Sequence, residues 1–239
     1  MISQTVLGID VGLRNLSLCI MSKSNKGDYE ILLWDNYNLL GNDPEICLGK
    51  TRTGIACSKF ASVFNPATKE YFCKMHSKGV HVKNVPKCKN VKTYLIQDIA
   101  RIVLSKITEI HSENKVVFSS ISKVFIENQP KINNKMKIVS TLILGKLTEL
   151  LDNSVAIRFI SATNKLKIGN IVCSDASKDG TRGPKGYNNR KKLSVEYTRS
   201  FLKNNKVKDT ETWSRHFENR KKLNDMADSL GFCICTLGK

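Results

Sequence analysis

The sequence predicts an α/β fold, a mixed sheet flanked by helices and interrupted by one small insertion. Three observations predict it. The chain opens with apolar strands spaced as hairpins, so antiparallel pairing is the local choice. Beyond residue 90, apolar residues at helical spacing alternate with short apolar strands, the pattern of helices laid on a sheet. Between the two stretches, residues 43–90 are lysine-rich, carry Gly and Pro, and hold no sustained periodicity. A length of 239 residues suffices to bury one core with such an insertion. The expected boundaries are 1–42 with 91–239 for the main domain and 43–90 for the inserted module.

Residues 5–21 read as two strands joined by a tight turn at Gly12, Leu13, Arg14 and Asn15, and a third strand follows at 29–37. A helix is expected over 91–113, because Leu95, Ile99, Ile102 and Ile110, with Val103 and Ile107 beside them, trace an apolar stripe broken by Lys106. The next strand, 123–129, is stopped by Pro130, which has no N–H to give a ladder. A helix at 133–151 and a strand at 155–161 continue the alternation. Residues 163–192 read as a basic, Gly-rich loop and 190–203 as a helix. A polar linker then leads to a closing helix at 220–235. No internal repeat is apparent.

With hydrophobic residues at 41%, the chain is not wholly disordered, and no run approaches the ~18 apolar residues of a membrane span. Met1-Ile2-Ser3-Gln4-Thr5 leads straight into a strand with no charged start or cleavage site, so an intracellular location is expected, the host cytoplasm were the source viral. Lys+Arg number 39 against 21 Asp+Glu, a net charge of +18. Self-repulsion on that scale is relieved by a polyanion, which makes nucleic acid the expected partner. Charge of this kind speaks for phosphate binding, not for catalysis, and a generally lysine-rich proteome would also produce it. The eight cysteines of an intracellular protein are not expected to pair as disulfides. Cys19, Cys173, Cys233 and Cys235 sit among apolar neighbours as small core residues, whereas Cys47, Cys57, Cys73 and Cys88 lie in polar sequence.

Four acids stand out. Asp10 interrupts an apolar strand, on the same face as Val6 and Gly8. Glu127 ends another in the same way. Desolvating a carboxylate is costly without a cation or hydrogen bonds to compensate. Asp225 and Asp228 are three residues apart on the closing helix, ~60° apart and so on one face. Each has a plainer reading, as a strand-end contact or a partner of the helix dipole. Together they form an oxygen-rich set suited to Mg²⁺ or Mn²⁺, and two such ions activate water and stabilise a leaving 3′ oxygen in two-metal phosphodiester hydrolysis.

Three segments carry a family resemblance: Gly8-Ile-Asp-Val-Gly-Leu-Arg-Asn-Leu-Ser, Val124-Phe-Ile-Glu-Asn-Gln-Pro, and Asn224-Asp-Met-Ala-Asp-Ser-Leu-Gly. In this order they resemble the RuvC-like Holliday junction resolvases of the RNase H-like superfamily, most closely the poxvirus type and relatives in other large DNA viruses. The resemblance spans the chain except the insertion. It implies an RNase H-like mixed sheet flanked by helices, with Asp10, Glu127, Asp225 and Asp228 as metal-binding catalytic acids. It also implies a lysine near the scissile phosphate, for which Lys165 is preferred over Lys167. Lys167, Lys178, Arg182, Lys185, Arg190, Lys191 and Lys192 are the corresponding candidates for holding DNA backbone. The family works as homodimers on four-way junctions, and its activity is the resolution of branched DNA by metal-dependent hydrolysis.

The insertion departs from RuvC and from the smaller poxvirus enzymes. Its core is Cys57, Cys73 and His76, the last two forming a Cys-x-x-His step that presents two ligands to one ion. The preferred fourth ligand is Cys47, with Cys88 and His81 as alternatives. A stretch with few large aliphatic residues needs such a staple, which predicts structural Zn²⁺. Reduced surface cysteines are the competing reading.

Three rival functions fit parts of the sequence. Gly8-Ile-Asp-Val-Gly also resembles the first phosphate loop of actin-like ATPases, but the second phosphate loop and second domain are missing. Another RNase H-like nuclease, of the hybrid, transposase or terminase kind, would share the fold. A non-catalytic zinc-dependent nucleic-acid-binding protein would make the four acids accidental.

Overall fold

The computed structural model describes residues 4–41, 45–78, 82–85, 93–129, 133–161, 184–220 and 222–238. Two compact units emerge, one formed by Met1–Leu39 and Leu95–Lys239 and the other by Leu40–Tyr94.

The larger unit is built on a five-stranded sheet. β1 (Gln4–Val11), β2 (Asn15–Lys23) and β3 (Tyr29–Asn38) form an antiparallel meander. In the smaller unit β4 (Val63–Asn65), β5 (Glu70–Phe72) and β6 (Lys83–Asn84) follow in sequence. The main sheet resumes with β7 (Lys123–Asn128) and β8 (Ala156–Ser161), both parallel to β1, giving the order β3-β2-β1-β7-β8. An antiparallel meander extended on its β1 edge by parallel crossovers is the RNase H-like arrangement.

Helices cover both faces. α1 (Ile96–Glu113), the short α2 (Lys115–Ser119) and α3 (Asn134–Leu150) supply the crossovers, with α1 packed on α3 and α3 on β7 and β1. The buried stripe of α1 is Ile99, Val103, Ile107 and Ile110. The other face carries α4 (Pro184–Asn204), α5 (Thr210–Glu218) and α6 (Leu223–Leu237). Alternation explains the two-sided burial of β1. Leu7 and Ile9 point one way and Val6 and Gly8 the other, and Val6, Leu7 and Ile9 are fully enclosed.

Gly8 sets how closely α6 approaches. A Cβ there would run into the Ser229 carbonyl oxygen and lie 3.0 Å from Phe232 Cβ and 3.1 Å from Cys233 Sγ. Cys233 in turn donates its thiol to the Cys19 carbonyl at 3.2 Å, so these two cysteines are core residues, as expected. Trp34 fastens the far side. Its Nε1 donates to the Met226 carbonyl at 3.0 Å, and its ring stacks on Phe217 with centroids 5.1 Å apart.

Several expectations need correction. The stretch before the closing helix is not a plain linker: α5 has Phe217 fully buried against Trp34, and His216 Nε2 lies 2.8 Å from the Trp34 carbonyl. Its charged surface hid a short amphipathic helix. α1 begins at Ile96, leaving Leu95 60% exposed, and Ile102 is only half-buried, so the apolar stripe starts a turn later than periodicity suggested. α4 begins at Pro184, six residues inside the segment read as loop; proline at a first helical position costs no hydrogen bond. The insertion holds a small sheet, order β5-β4-β6, whose strands are too short to show periodicity. Among the described residues no helix is long and apolar enough to cross a membrane.

Candidate functional site

The four acids are brought to one edge of the large unit, on one face of the sheet. Ile9 pairs with Ile126 as the last recorded pair of the parallel β1–β7 ladder, and one residue further the strands carry Asp10 and Glu127. Register partners share a face, here the face that Gly8 and Phe125 turn toward α6. Across β2, Asp10 pairs with Ser17, whose Oγ lies 2.9 Å from Ser229 Oγ. Ser229 directly follows Asp228, so the first two turns of α6 stand over the ends of β1 and β2.

Each carboxylate in this group is half-buried. Asp225 accepts hydrogen bonds from Asn15 Nδ2 at 3.4 Å and from Asn224 Nδ2. Asp228 accepts from the Ser194 hydroxyl of α4 at 2.7 Å. Gln129 is buried and its Nε2 donates both to Glu127 Oε2 at 3.0 Å and to the Val11 carbonyl at 3.3 Å. Burial holds the Asp225 carboxyl above the ordinary aspartate range; Lys222 and Lys191 pull it down, and the negative charge of Asp228 adds to the rise. Like charges thus share one site, with lysines at its border.

Asn15, Gln129 and Ser194 were not singled out in the sequence. Gln129 and Asn15 lie inside the segments that carry the family resemblance, which is the signal that could have found them. Ser194 is marked by nothing local, because only the packing of α4 on α6 brings it to Asp228. Lys191 is half-buried near Asp225 and Lys192 is exposed. Lys185 and Arg190 stand within α4, where the backbone alone is described. Lys165, Lys167, Lys178, Arg182 and Cys173 lie outside the described residues, as do the alternative ligands His81 and Cys88.

The second site lies wholly in the smaller unit. Cys47, Cys57, Cys73 and His76 each offer one ligand atom, and these atoms all lie within 4.8 Å of one another. Among the described residues this group converges so closely, and the four acids do not. His76 Nδ1 is 3.3 Å from Cys47 Sγ and 3.5 Å from Cys73 Sγ. Three Cys and one His form a set that could hold a tetrahedral metal ion. Backbone amides prepare the sulfurs for negative charge. Gly49 N donates to Cys47 Sγ at 3.3 Å, Lys59 bonds to Cys57, and His76 and Met75 bond to Cys73. Burial raises the Cys73 thiol, but these amides, with Cys47 and Cys57, outweigh it and bring it down to about 7. For Cys57 the Lys59 amide pulls downward, while burial and the neighbouring sulfurs leave the thiol above its usual value. Gly49 has no room for a side chain, since a Cβ would meet the His76 ring.

No protein-family model matches the chain, and no curated protein matches it in sequence. Among solved structures the chain is similar to the yeast mitochondrial Holliday junction resolvase Ydc2, at 13% identity and a TM-score of 0.49, covering 98% of this chain and 78% of that one. It is also similar to the fowlpox virus resolvase in complex with Holliday junction DNA, at 12% identity and a TM-score of 0.49, covering 98% and 97%. Thermus thermophilus RuvC matches at 10% identity and a TM-score of 0.46, covering 98% and 95%. The RNase H-like assignment rests on this chain's own strand order and pairing.

Proposed function

We propose that the chain is a metal-dependent, structure-selective endonuclease that cuts branched DNA, with four-way junctions as its preferred substrate. The observation that carries the reading is the gathering of Asp10, Glu127, Asp225 and Asp228 on one edge and face of an RNase H-like sheet, in a chain of net charge +18. The acids suit a divalent ion in chemistry. They are half-buried hard oxygen ligands, and a bound cation would offset the like charges that share the site. Asp10, Glu127, Asp225 and Asp228 would hold Mg²⁺ or Mn²⁺. When bound, such an ion supplies an activated water and stabilises the leaving 3′ oxygen.

The chain's own residues do the rest. Gln129 ties the Glu127 carboxylate to the end of β1, so the two strands present their acids together. Asn15 of β2 restrains Asp225, and Ser194 of α4 restrains Asp228. Lys191 keeps positive charge beside Asp225, and Lys191, Lys192, Lys185, Arg190, Lys167, Lys178 and Arg182 are assigned to the DNA backbone, with Lys165 near the scissile phosphate. The products are nicked duplexes with 5′ phosphate and 3′ hydroxyl ends. The chain acts as a homodimer, which would place two sites on a symmetric junction. Cys47, Cys57, Cys73 and His76 bind Zn²⁺ structurally, because four protein ligands leave no open position.

The test is cleavage of a labelled four-way junction, with linear duplex and RNA–DNA hybrid as controls, in Mg²⁺ and in EDTA. Paired symmetric nicks in the junction, abolished by EDTA and by Asp10→Asn while binding survives, are expected. Cutting of the hybrid without the junction would keep the fold and replace the substrate. Tight junction binding with no cutting in Mg²⁺ or Mn²⁺ would sink the catalytic reading.

A further inference from the structure

The smaller unit carries a surface that its metal site does not use. Residues 46–50 and 56–60 run antiparallel, with bridges between Ile46 and Phe60 and between Lys50 and Ala56. The Cys47 amide donates to the Lys59 carbonyl at 2.9 Å and the Cys57 amide to the Gly49 carbonyl at 2.8 Å. Alternation along this ribbon turns Cys47, Gly49 and Cys57 inward, where Gly49 meets the His76 ring. The same alternation turns Ile46, Leu48, Lys50, Ser58 and Phe60 outward. The three cysteines of the candidate metal site are buried and His76 is half-buried, whereas Ile46 is 46%, Leu48 60% and Phe60 67% exposed. The Leu48 amide bonds to the Tyr71 carbonyl at 2.9 Å, so β5 holds the ribbon and the exposed apolar face is backed by regular structure.

The unit that carries this face is cationic. Lys50 lies on it, Arg52 stands at the exposed hairpin tip beside Ile55, and Lys59 and Lys74 are exposed on the same unit. The acids among the unit's described residues are Glu45 and Glu70. We propose that the outward face of the 46–60 ribbon binds unpaired bases of a nucleic-acid strand. Phe60, Leu48 and Ile46 cover base faces, and Lys50 and Arg52 take the adjoining phosphates. Both halves of the surface are then used, since apolar contact to bases and positive charge to phosphates come from one ligand. A second copy of the chain fits poorly. A two-fold contact sets a patch against itself, which would bring Lys50 and Arg52 toward their own counterparts. Duplex DNA hides its base faces in the stack, so the apolar residues have purchase only where bases are unpaired or unstacked, as at a branch point.

This inference rests on the nucleic-acid-binding half of the proposed function and not on cleavage. The test uses the full chain with its zinc, without Mg²⁺, in fluorescence anisotropy against labelled oligothymidine, an abasic strand of equal length, and a blunt duplex. Oligothymidine should bind at least about fivefold more tightly than the abasic strand. The double substitution Leu48→Ser with Phe60→Ser should remove that preference and leave duplex affinity within about twofold. Zinc content, read by release to a chromophoric chelator, checks that the inner face of the ribbon is intact. Should the double variant lose zinc, the thymidine-to-abasic comparison on the unchanged chain decides alone. Equal affinity for the two strands overturns the proposal, as does dimerisation in sedimentation that the double variant abolishes without any base preference in the parent. The two readings fail separately: junction cutting without base preference sinks this one, and base preference without cutting sinks the nuclease.

Discussion

Two glycines show how single atoms control the two candidate sites. At Gly8 the missing Cβ lets α6, the helix that carries Asp225 and Asp228, lie close on β1, the strand that carries Asp10. Gly8→Ala pushes against a backbone carbonyl, which cannot swing aside as a side chain would. Its expected cost is about 1–3 kcal/mol, the usual range for overpacking, read as a lower urea midpoint. Metal-dependent cutting should fall further than stability does, because the acids are displaced with the helix. Gly49 plays the equivalent part in the smaller unit. Gly49→Ala meets the His76 ring, so zinc should be lost to a chelator at lower chelator concentration than in the parent, with the large unit's unfolding unchanged. Both glycines stand in the sequence without any mark of this role. Gly8 is legible only as part of a strand motif, and Gly49 not at all, since its neighbour His76 is 27 residues away.

At the scale of elements, α5 is the piece that sequence reading passed over. It is held by the Trp34–Phe217 stack and by Arg199 of α4, whose guanidinium donates to both Glu218 carboxylate oxygens at 2.6 and 2.8 Å. That hydrogen bonding holds the Glu218 carboxyl below the ordinary glutamate range. A depressed folded value means the pair contributes stability above the unfolded value of about 4.3 and loses it as pH falls through the lower, folded one. Glu218 is 45% exposed, so solvent screening limits the contribution to about 1 kcal/mol or less. Glu218→Gln should therefore lower thermal stability at pH 7 by up to about that amount, and the difference from the parent should close as pH falls below about 4.3, flattening part of the acid limb. An unchanged acid limb would show that the pair adds nothing to α4–α5 packing. The acidic strands and the closing helix were legible because each sets a charge against an apolar pattern. α5 sets few apolar residues among charges, and its contribution is visible only where Phe217 meets Trp34.

Over the whole molecule, the net charge of +18 bears on the proposed DNA binding. If several lysines and arginines neutralise phosphates, the logarithm of the binding constant should fall linearly with the logarithm of salt, at about −0.9 per phosphate contact. A titration of junction DNA between low and physiological salt measures it, and a flat response would count against a basic DNA-holding surface. Lys192→Ala with Lys191→Ala should reduce the slope by up to about two contacts.

Charge balance, the strand and helix periodicities, the four acids and the cysteine–histidine spacing are local properties, and the sequence by itself determined them. Apolar alternation dictates which face each strand residue takes, and an acid within such a pattern is conspicuous without any coordinates. The sequence preferred Cys47 as the fourth member of the group with Cys57, Cys73 and His76, but only the tertiary structure brought the four ligand atoms together, since that depends on a ribbon folding back at its tip. The tertiary structure alone supplied Asn15, Gln129 and Ser194 to the carboxylates, because side-chain hydrogen bonds join elements up to 210 residues apart. Periodicity reports what a residue turns its back on, and only packing decides what it faces.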